Sequence, residues 1–401
     1  MADSQDIEKG SSGSLYQPFF HKDEKQQNSH DNGNLFMVIL CTFVAVMGSF
    51  EFGSSIGYSS PTQQGIMEEL GMSSEEYSMF GSVLTIGAMA GSISCGRAAD
   101  VIGRKGVAIS TGLLVAYTVG AFVSWRTLAL TGMIPCAVMI LGLYFIPDSP
   151  RWLAMVGCQA EFNAALQKLR GDTADVSREE AAIEHLPKAT VLDLFLERNL
   201  RLVIIGVGLM VFQQFSGYNG VVFYANQIFT SAGVPPNVGS ILYACLQIIV
   251  LSLGAVIIDK AGRRPLLMIS ASGMLLGSLL TGASFGLKEH ALVSDMGPMF
   301  TIIGIMIYMG SYCLGLGGIP WIVMSEIFPL HIKGIAGSLV TLVSWGGSWV
   351  VSFTFSFLMD WNSYGTFLMF AIFCVVAIVF IWKLVPETKG RTLEEIQASM
   401  E

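Results

Sequence analysis

Charged residues are scarce in this sequence. Of its 401 residues, 13% are Asp, Glu, Lys or Arg, and 52% are hydrophobic. Because an ordinary soluble domain has about 25% charged residues, this composition excludes a typical water-soluble globular fold. The net charge of −8 is spread over tails and loops, so we also expect no nucleic-acid partner.

Cysteine and histidine are few, and neither type forms a cluster. No pair of the seven cysteines has the spacing of metal ligands, and most of them lie in apolar segments. We therefore interpret them as small buried apolar residues. The five histidines lie in loops and tails with no clustered acids. The sequence also has no nucleophile–base pair and no phosphate-binding loop, so we expect no metal, no other cofactor and no enzymatic activity.

Long apolar runs dominate the chain. Their lengths are near the roughly 20 residues that a helix needs to cross a bilayer. No series of alternating segments of about ten residues, typical of an outer-membrane barrel, is present. The sequence thus predicts an all-α membrane protein with about ten transmembrane helices. The apolar runs are 35–58, 76–95, 107–124, 128–146, 202–230, 238–258, 265–286, 299–325, 335–359 and 363–385.

Basic residues are nearly absent from one side of this predicted arrangement. Arg126 and Lys288 are the only Lys or Arg residues in the predicted outer loops, and the other 20 of the 22 lie on the opposite side. This bias predicts that both termini are cytoplasmic. Residues 1–34 contain no apolar signal-peptide segment, and we expect a disordered cytoplasmic tail there. The outer loops are 59–75, 125–127, 231–237, 287–298 and 360–362.

Two motifs occur once in each half of the chain. A basic motif, Asp-x-x-Gly-Arg-Lys/Arg, covers 100–105 and 259–264, and a proline–acid motif starts at Pro147 and Pro386. Each basic motif falls in a short loop, where glycine allows a tight reversal and where ion pairs can hold helix ends together. The acid after each helix-ending proline can meet the basic loop of its own half. Two such sets of ion pairs, one in each half, are here called latches, and they fit a carrier that opens on alternate sides. Alternatively, the basic residues only set the topology.

Five segments of the sequence resemble the sugar porters of the major facilitator superfamily. The resemblance covers about 35–395, and the sequence near 320–345 and 386–397 is most similar to that of plant monosaccharide transporters of the early-responsive-to-dehydration group. It implies two helical bundles, alternating access and a monosaccharide substrate, with hexose as the family default. The matching segments are Gly96–Lys105, Pro147–Leu153, Gln213–Asn219, Ile319–Pro329 and Pro386–Arg391.

The resemblance implies a sugar site in the C-terminal half. Gln213, Gln214 and Asn219 lie in one apolar run, and Gly217 loosens the helix so that they can face one cavity. Amides suit a sugar because each both donates and accepts hydrogen bonds. Hydrogen bonding between helices is the alternative role. Gln247 matches a polar position of the family on the next span.

The resemblance also implies aromatic contacts and a latch. Trp321, after a break at 317–320, and Trp345 can stack on a sugar ring or simply pack. Tyr224 is a weaker candidate for closing the outer side. Together with the repeated motifs, the resemblance assigns the cytoplasmic latch to Arg97, Asp100, Arg104, Asp259, Arg263, Arg264, Glu326 and Glu387.

The two halves differ in length. From Asp100 to Pro147 there are 47 residues, whereas from Asp259 to Pro386 there are 127. Against the family's two sets of six helices, the N-terminal half has four spans, and the resemblance places the loss of helices three and four between Lys105 and Thr111. A cavity wall, a latch partner and one glutamine, replaced by Gly106, are lost with them.

These observations predict five regions and two candidate functions. We expect facilitated sugar transport rather than proton coupling, because Ser55 stands where proton-linked porters carry an acid; Glu51, one turn earlier, is a possible proton site. The alternative is a truncated, non-transporting partner of full-length carriers. The plasma membrane and the vacuolar membrane both fit. The regions are a tail at 1–34, a shortened bundle at 35–146, a cytoplasmic loop at 147–200, a six-helix bundle at 201–385 and a tail at 386–401.

Overall fold

The computed structural model describes residues 35–95, 116, 119, 123–147, 153, 159–170, 191–233, 235–289, 297–391 and 395. These residues form helices and no strand, which confirms the predicted all-α class. A short 3-10 helix at Val191–Phe195 precedes α5. The α-helices are α1 (Leu35–Leu70), α2 (Ser74–Cys95), α3 (Trp125–Leu143), α4 (Gln159–Arg170), α5 (Glu197–Phe215), α6 (Tyr218–Phe223), α7 (Ala225–Ala232), α8 (Pro236–Ala261), α9 (Arg263–Glu289), α10 (Gly297–Leu314), α11 (Ile319–Ile327) and α12 (Leu330–Leu384).

Local sequence signals determine where α2 begins. The Ser73 hydroxyl accepts from the backbone N–H of Glu76 at 3.2 Å, and the Glu76 carboxylate accepts from the N–H of Ser73 at 2.8 Å. This reciprocal pair satisfies two amides near the start of the helix. On its other side, α1 continues through Pro61 to Leu70. The outer loop predicted at 59–75 is therefore mostly helical, and only a short turn joins α1 to α2.

Several backbone breaks interrupt the helices of the C-terminal half. α5 ends at Phe215, and Gly217 takes a φ of 97° before α6 begins. A turn at 315–318 separates α10 from α11. Inside α12, Asn362 is extended, with φ −164° and ψ 104°. The first two of these breaks fall inside apolar runs that hydrophobicity alone shows as continuous segments, because it does not register backbone breaks.

Seven helical segments of the described residues are long and apolar enough to cross a membrane. The segment Ile332–Leu384 contains two of the predicted runs, divided at Asn362. α2 coincides with the predicted run 76–95 but is not among the seven. The predicted run 107–124 lies almost wholly outside the described residues, so the total of ten spans stays a prediction.

The densest packing lies in the C-terminal half. α9 packs against α10 and α12. A Cβ on Gly277 would lie 2.6 Å from the backbone nitrogen of Tyr308, so the absence of a side chain there lets α9 and α10 approach closely. Half of the apolar 18-residue window within Arg263–Leu287 is buried, compared with 11% of Trp125–Gly142. α9 is thus a core helix of this half, whereas α3 lies at the surface of the described structure.

The two halves meet along α1 and α2. α2 packs against α12, and α1 packs against α6 and α7. The ring of Phe52 on α1 meets the indole of Trp345 on α12 edge to face, with 5.4 Å between ring centroids. Tyr77 on α2 likewise meets Tyr224, at 6.5 Å. Aromatic contacts therefore join the halves at two levels of the bundle.

Candidate functional site

The break between α5 and α6 positions the predicted amide residues. Gln213 and Gln214 lie in the last turn of α5, and Asn219 lies in the first turn of α6. Gly217 between them has a φ of 97°, and a Cβ there would lie 2.4 Å from the ring of Phe370. Only glycine combines this left-handed backbone with so close a neighbour. The resulting bend brings Asn219 back against Gln214.

A second break anchors the first amide. The Nε2 of Gln213 donates to the carbonyl oxygens of Leu316 and Gly317, at 2.7 Å and 3.0 Å. Both carbonyls lie in the turn between α10 and α11, where the chain is not helical. The Gln213 amide therefore satisfies backbone groups that the break leaves without helical partners.

The three amides form one hydrogen-bonded row. Gln214 Nε2 donates to Gln213 Oε1 at 3.3 Å and to the Ser344 hydroxyl at 2.9 Å. Asn219 Nδ2 donates to Gln214 Oε1 at 2.5 Å and to the Ser348 hydroxyl at 2.8 Å. We call Gln213, Gln214 and Asn219 the amide row. The structure brings these three predicted residues together and adds two serines of α12 that the sequence did not indicate.

Gln247 lies in an adjoining polar group. Its Nε2 donates to the Tyr218 hydroxyl at 3.2 Å, and that hydroxyl shares a 2.7 Å hydrogen bond with Tyr243. The Tyr218 ring stacks on Tyr312 with 3.5 Å between centroids. Because Tyr218 directly precedes Asn219, Gln247 lies behind the amide row. Among the described residues, the buried Oε1 of Gln247 has no hydrogen-bond partner.

The two predicted tryptophans occupy different environments. Trp321 lies on α11 directly after the break and packs, partly buried, against the main buried core. Trp345 is also partly buried, and it meets Phe52 of α1. Trp345 therefore bridges the halves. Both placements are compatible with stacking on a sugar or with packing.

Polar contacts close the predicted outer end, where Tyr224 lies. Tyr224 is buried between Tyr77 and Phe355. Nearby, Gln63 Nε2 donates to Gln227 Oε1 at 3.3 Å, joining α1 to α7. The Ser60 hydroxyl accepts from the backbone N–H of Asn226 at 2.9 Å, at the same junction. These contacts were not predicted; the run of polar residues between 59 and 63 was the available signal.

Among the described side chains, the latch of the C-terminal half contains one ion pair. Arg263 Nη2 lies 2.9 Å from Glu326 Oε1, and both side chains are mostly buried. This pair joins the start of α9 to α11. Arg264 instead donates through its guanidinium to the carbonyl of Trp382 in α12. The two adjacent arginines thus hold two different helices.

Glu387 binds the start of a helix. Its carboxylate accepts from the backbone N–H groups of Arg263 and Arg264 at 3.0 Å and 3.1 Å, and from the N–H of Lys389 at 3.0 Å. The first amides of a helix lack internal partners and carry partial positive charge. Partial burial raises the pKa of Glu387, but these backbone donors, with that of Thr388, lower it more, and the net shift is downward.

Glycine is needed beside this carboxylate. Gly262, just before α9, has a φ of 91°, and a Cβ on it would lie 2.8 Å from Glu387 Oε2. The side chain of Asp259 lies outside the described part of the structure, although its backbone belongs to α8. Arg97, Asp100 and Arg104, the latch residues of the N-terminal half, also lie outside the described residues.

Glu51 lies inside α1 where that helix faces α3. Its Oε1 accepts from the Ser55 hydroxyl at 3.1 Å. From α3, Cys136 interacts with the same carboxyl group, and a Cβ on Gly132 would lie 3.7 Å from Oε1. Oε2 is buried and has no partner among the described residues. A charged carboxylate inside an apolar span is energetically costly, so an acid in such a place is usually protonated or functional.

Known sugar transporters are similar to this chain over most of its length. A family model described as "Sugar (and other) transporter" matches residues 106–400. The chain belongs to this sugar transporter family. Similar relatives in Arabidopsis thaliana include sugar transporter ERD6-like 8, at 49% identity with 91% of this chain and 93% of the relative covered. Sugar transporter ERD6-like 7 is 47% identical, with 90% and 94% covered. The predicted family is confirmed.

The alignment with sugar transporter ERD6-like 8 is longer than the chain. It extends over 436 positions but includes 91% of the 401 residues, which is about 365. About 71 alignment positions therefore face gaps in this chain. The family match itself begins at Gly106, inside the predicted junction between Lys105 and Thr111.

Solved structures show the same fold. The partially occluded inward-open form of the xylose transporter XylE from E. coli superposes with a TM-score of 0.69 at 22% identity, covering 89% of this chain and 100% of that one. The inward-open form of XylE also gives 0.69, at 23% identity, with 90% and 99% covered. The predicted major facilitator fold is confirmed, and this member of the sugar transporter family is an integral, multi-pass membrane protein.

Proposed function

We propose that this protein carries monosaccharides across a membrane by alternating access. The amide row is the observation that carries the proposal, since it places three neutral hydrogen-bonding side chains between two helix breaks at mid-bundle. Neutral amides match the hydroxyl groups of a sugar. The similar Arabidopsis relatives are sugar transporters, which supports the same substrate class.

Uptake by the purified protein in liposomes tests this function. We expect saturable uptake of a labelled hexose, at least tenfold weaker in Asn219→Ala, because truncation leaves partners of the row unsatisfied. Thr354→Ala is the matched control, since its hydroxyl only bonds to its own helix on an exposed face. Absence of saturable uptake by correctly inserted wild-type protein contradicts the proposal.

We further propose that transport is facilitated rather than proton-coupled. Ser55 replaces the acid expected at that position, and its hydroxyl bonds to Glu51. Proton-coupled transport would instead depend on Glu51, the candidate proton site. A pH gradient across the liposomes should leave the accumulation of sugar unchanged. Accumulation that follows the proton gradient and disappears in Glu51→Gln would overturn this reading.

A second candidate function is that of a non-transporting partner of full-length carriers. It is favoured by the 71 or so alignment positions that face gaps and by the low burial of α3. This function predicts co-purification with a full-length relative and no uptake by the chain alone. A monodisperse monomer with saturable uptake decides against it.

A further inference from the structure

Basic side chains lie close together where α8 ends, α9 begins and α12 ends. Lys389 Nζ donates to the backbone carbonyl of Lys260 at 2.6 Å. The Arg264 guanidinium donates to the carbonyl of Trp382, which directly precedes Lys383 in the chain. The three lysines are exposed, and Arg264 is partly exposed. We call these residues the basic patch: Lys260, Arg264, Lys383 and Lys389.

The positive charge of the basic patch is not neutralised within the described structure. Arg264 and Lys389 donate to backbone carbonyls, which carry no net charge. Among the described side chains, none of the patch residues forms an ion pair with a carboxylate. Glu387 lies among them, but its carboxylate already accepts from backbone N–H groups, including those of Arg264 and Lys389. An incoming anion would therefore meet several cations whose own partners are neutral.

Two of these cations are held in place by contacts between helices. The Lys389 side chain reaches the end of α8, and the Arg264 side chain reaches the end of α12. A purely topological role requires only that basic residues lie on the correct side of the membrane, and these contacts add nothing to it. Side chains that are already ordered lose less conformational entropy when a ligand binds. The arrangement therefore favours the binding of an anion.

Exposed apolar surface adjoins the basic patch on all three helices. Trp382, in the last turn of α12, is 62% exposed, and Val379 one turn earlier is also exposed. On α8, Val256 is exposed one turn before Lys260, and on α9 Ile269 is exposed. Tryptophan is enriched where a bilayer meets water. A soluble anion would contact only the cations here, whereas a phospholipid would contact both the cations and this apolar surface.

We propose that the basic patch binds the headgroup phosphate of an anionic phospholipid, with its acyl chains against the exposed faces of α8 and α12. Arginine and lysine are the side chains best suited to phosphate. A zwitterionic headgroup binds more weakly, because its own cation opposes the patch. Lipid binding here does not depend on sugar transport, since the basic patch shares no residue with the amide row.

Quenching of Trp382 by brominated lipid tests this binding, because bromine on an acyl chain quenches tryptophan only at short range. The purified protein is placed in phosphatidylcholine nanodiscs that contain either brominated phosphatidylglycerol or brominated phosphatidylcholine. We expect stronger, saturable quenching by the phosphatidylglycerol. This excess should disappear in Trp382→Phe and persist in Trp361→Phe, since Trp361 is exposed beside the Asn362 break, at the opposite end of the last span. An equal excess in both variants contradicts the proposal.

Removing two charges separates a site from diffuse attraction. Each cation near an anionic headgroup strengthens binding by about fivefold, so Lys383→Gln, Lys389→Gln should raise the half-saturating fraction of phosphatidylglycerol at least about tenfold. The matched control is Lys168→Gln, Arg201→Gln, which removes two charges from exposed residues elsewhere on the predicted cytoplasmic side. It should bind within about twofold of the wild type. Equal weakening in both double variants would show only diffuse attraction and overturn the proposal.

Two further arms exclude misfolding and a free anion. Lys383→Arg, Lys389→Arg keeps both charges and should bind like the wild type; failure of this variant would show that charge is not what the patch contributes. Inorganic phosphate, added at constant ionic strength, should not displace the lipid. Displacement would assign the patch to a soluble anion and overturn the lipid proposal. Because these measurements contain no sugar, their failure leaves the transport proposal standing.

Discussion

Gly217 shows how one residue sets the geometry of the candidate site. Its left-handed φ of 97° and the Phe370 ring 2.4 Å from a virtual Cβ leave no room for a side chain. The residue therefore determines the angle between α5 and α6. Through that angle it brings Asn219 within hydrogen-bonding distance of Gln214.

Replacing Gly217 should damage the site severely. A non-glycine residue at positive φ costs about 1–3 kcal/mol, and Gly217→Ala adds the clash with Phe370. We expect a lower melting temperature in detergent and a loss of glucose binding of at least tenfold. Gly87→Ala in α2 is the control, since a Cβ there meets nothing within 4 Å. Equal behaviour of the two variants would contradict this account.

Glu387 should make the start of α9 sensitive to acid. Its pKa in the folded protein is lowered from the ordinary value of 4.5, so the stabilisation is complete above that value and is lost as pH falls through the lower folded pKa. Glu387→Gln should remove this dependence and speed hydrogen exchange at Arg263 and Arg264 already at neutral pH. The exposed Glu68→Gln should leave both unchanged. Slow exchange in Glu387→Gln would show that the charge is not needed.

At the scale of the helix, α12 completes the site through two serines four residues apart. Ser344 and Ser348 lie on one face and accept from Gln214 and Asn219. The close approach of α12 depends on Gly347, where a Cβ would lie 3.0 Å from Gln214 Cβ. This face of α12 therefore orients the amide row from outside.

Removing both hydroxyls should expose that dependence. In the double variant Ser344→Ala, Ser348→Ala, two buried NH₂ hydrogens lose their acceptors, each at a cost of about 1–3 kcal/mol. We expect glucose binding to weaken at least tenfold by equilibrium competition. Ser338→Ala in the same helix should bind like the wild type. Normal binding by the double variant would mean that α12 only packs here.

The sequence predicted the helices and the amides better than their partners. Gln213, Gln214 and Asn219 were identified from the family resemblance, and their place in an apolar run, where polar side chains are costly, agreed with it. Ser344 and Ser348 were missed, since a serine in a helix usually bonds to its own backbone, as Ser352 does with the Ser348 carbonyl. Their four-residue spacing was the available signal. The contact of Glu387 with backbone amides was also not predicted. The motif pairs an acid with basic side chains, and the sequence does not show that the first amides of α9 lie beside this acid.

For the whole molecule, the two ends of the bundle are held by different chemistry. Neutral pairs such as Gln63 and Gln227 close the predicted outer end. The Arg263–Glu326 ion pair lies at the opposite, predicted cytoplasmic end and within the C-terminal half alone. Alternating access requires the outer pairs to separate, whereas the ion pair need not break for the halves to part.

Charges placed on the outer pair should open that end. In Gln63→Glu, Gln227→Glu, two like charges would face each other where a 3.3 Å hydrogen bond now stands. We expect a longer distance between spin labels on Leu70 and Val238, both exposed. The matched variant Gln63→Glu, Gln227→Lys should restore the short distance. An unchanged distance in the like-charged variant would show that this contact does not control closure.

The contact between Glu387 and α9 also has a consequence for how the chain is made. Glu387 is synthesised 124 residues after Arg263, which at typical translation rates is roughly 6 to 25 s later. Throughout that interval the ribosome delivers α10, α11 and α12 to the membrane while the first amides of α9 lack their carboxylate. This contact can therefore form only after Glu387 has left the ribosome, and co-translational folding cannot complete the C-terminal half earlier.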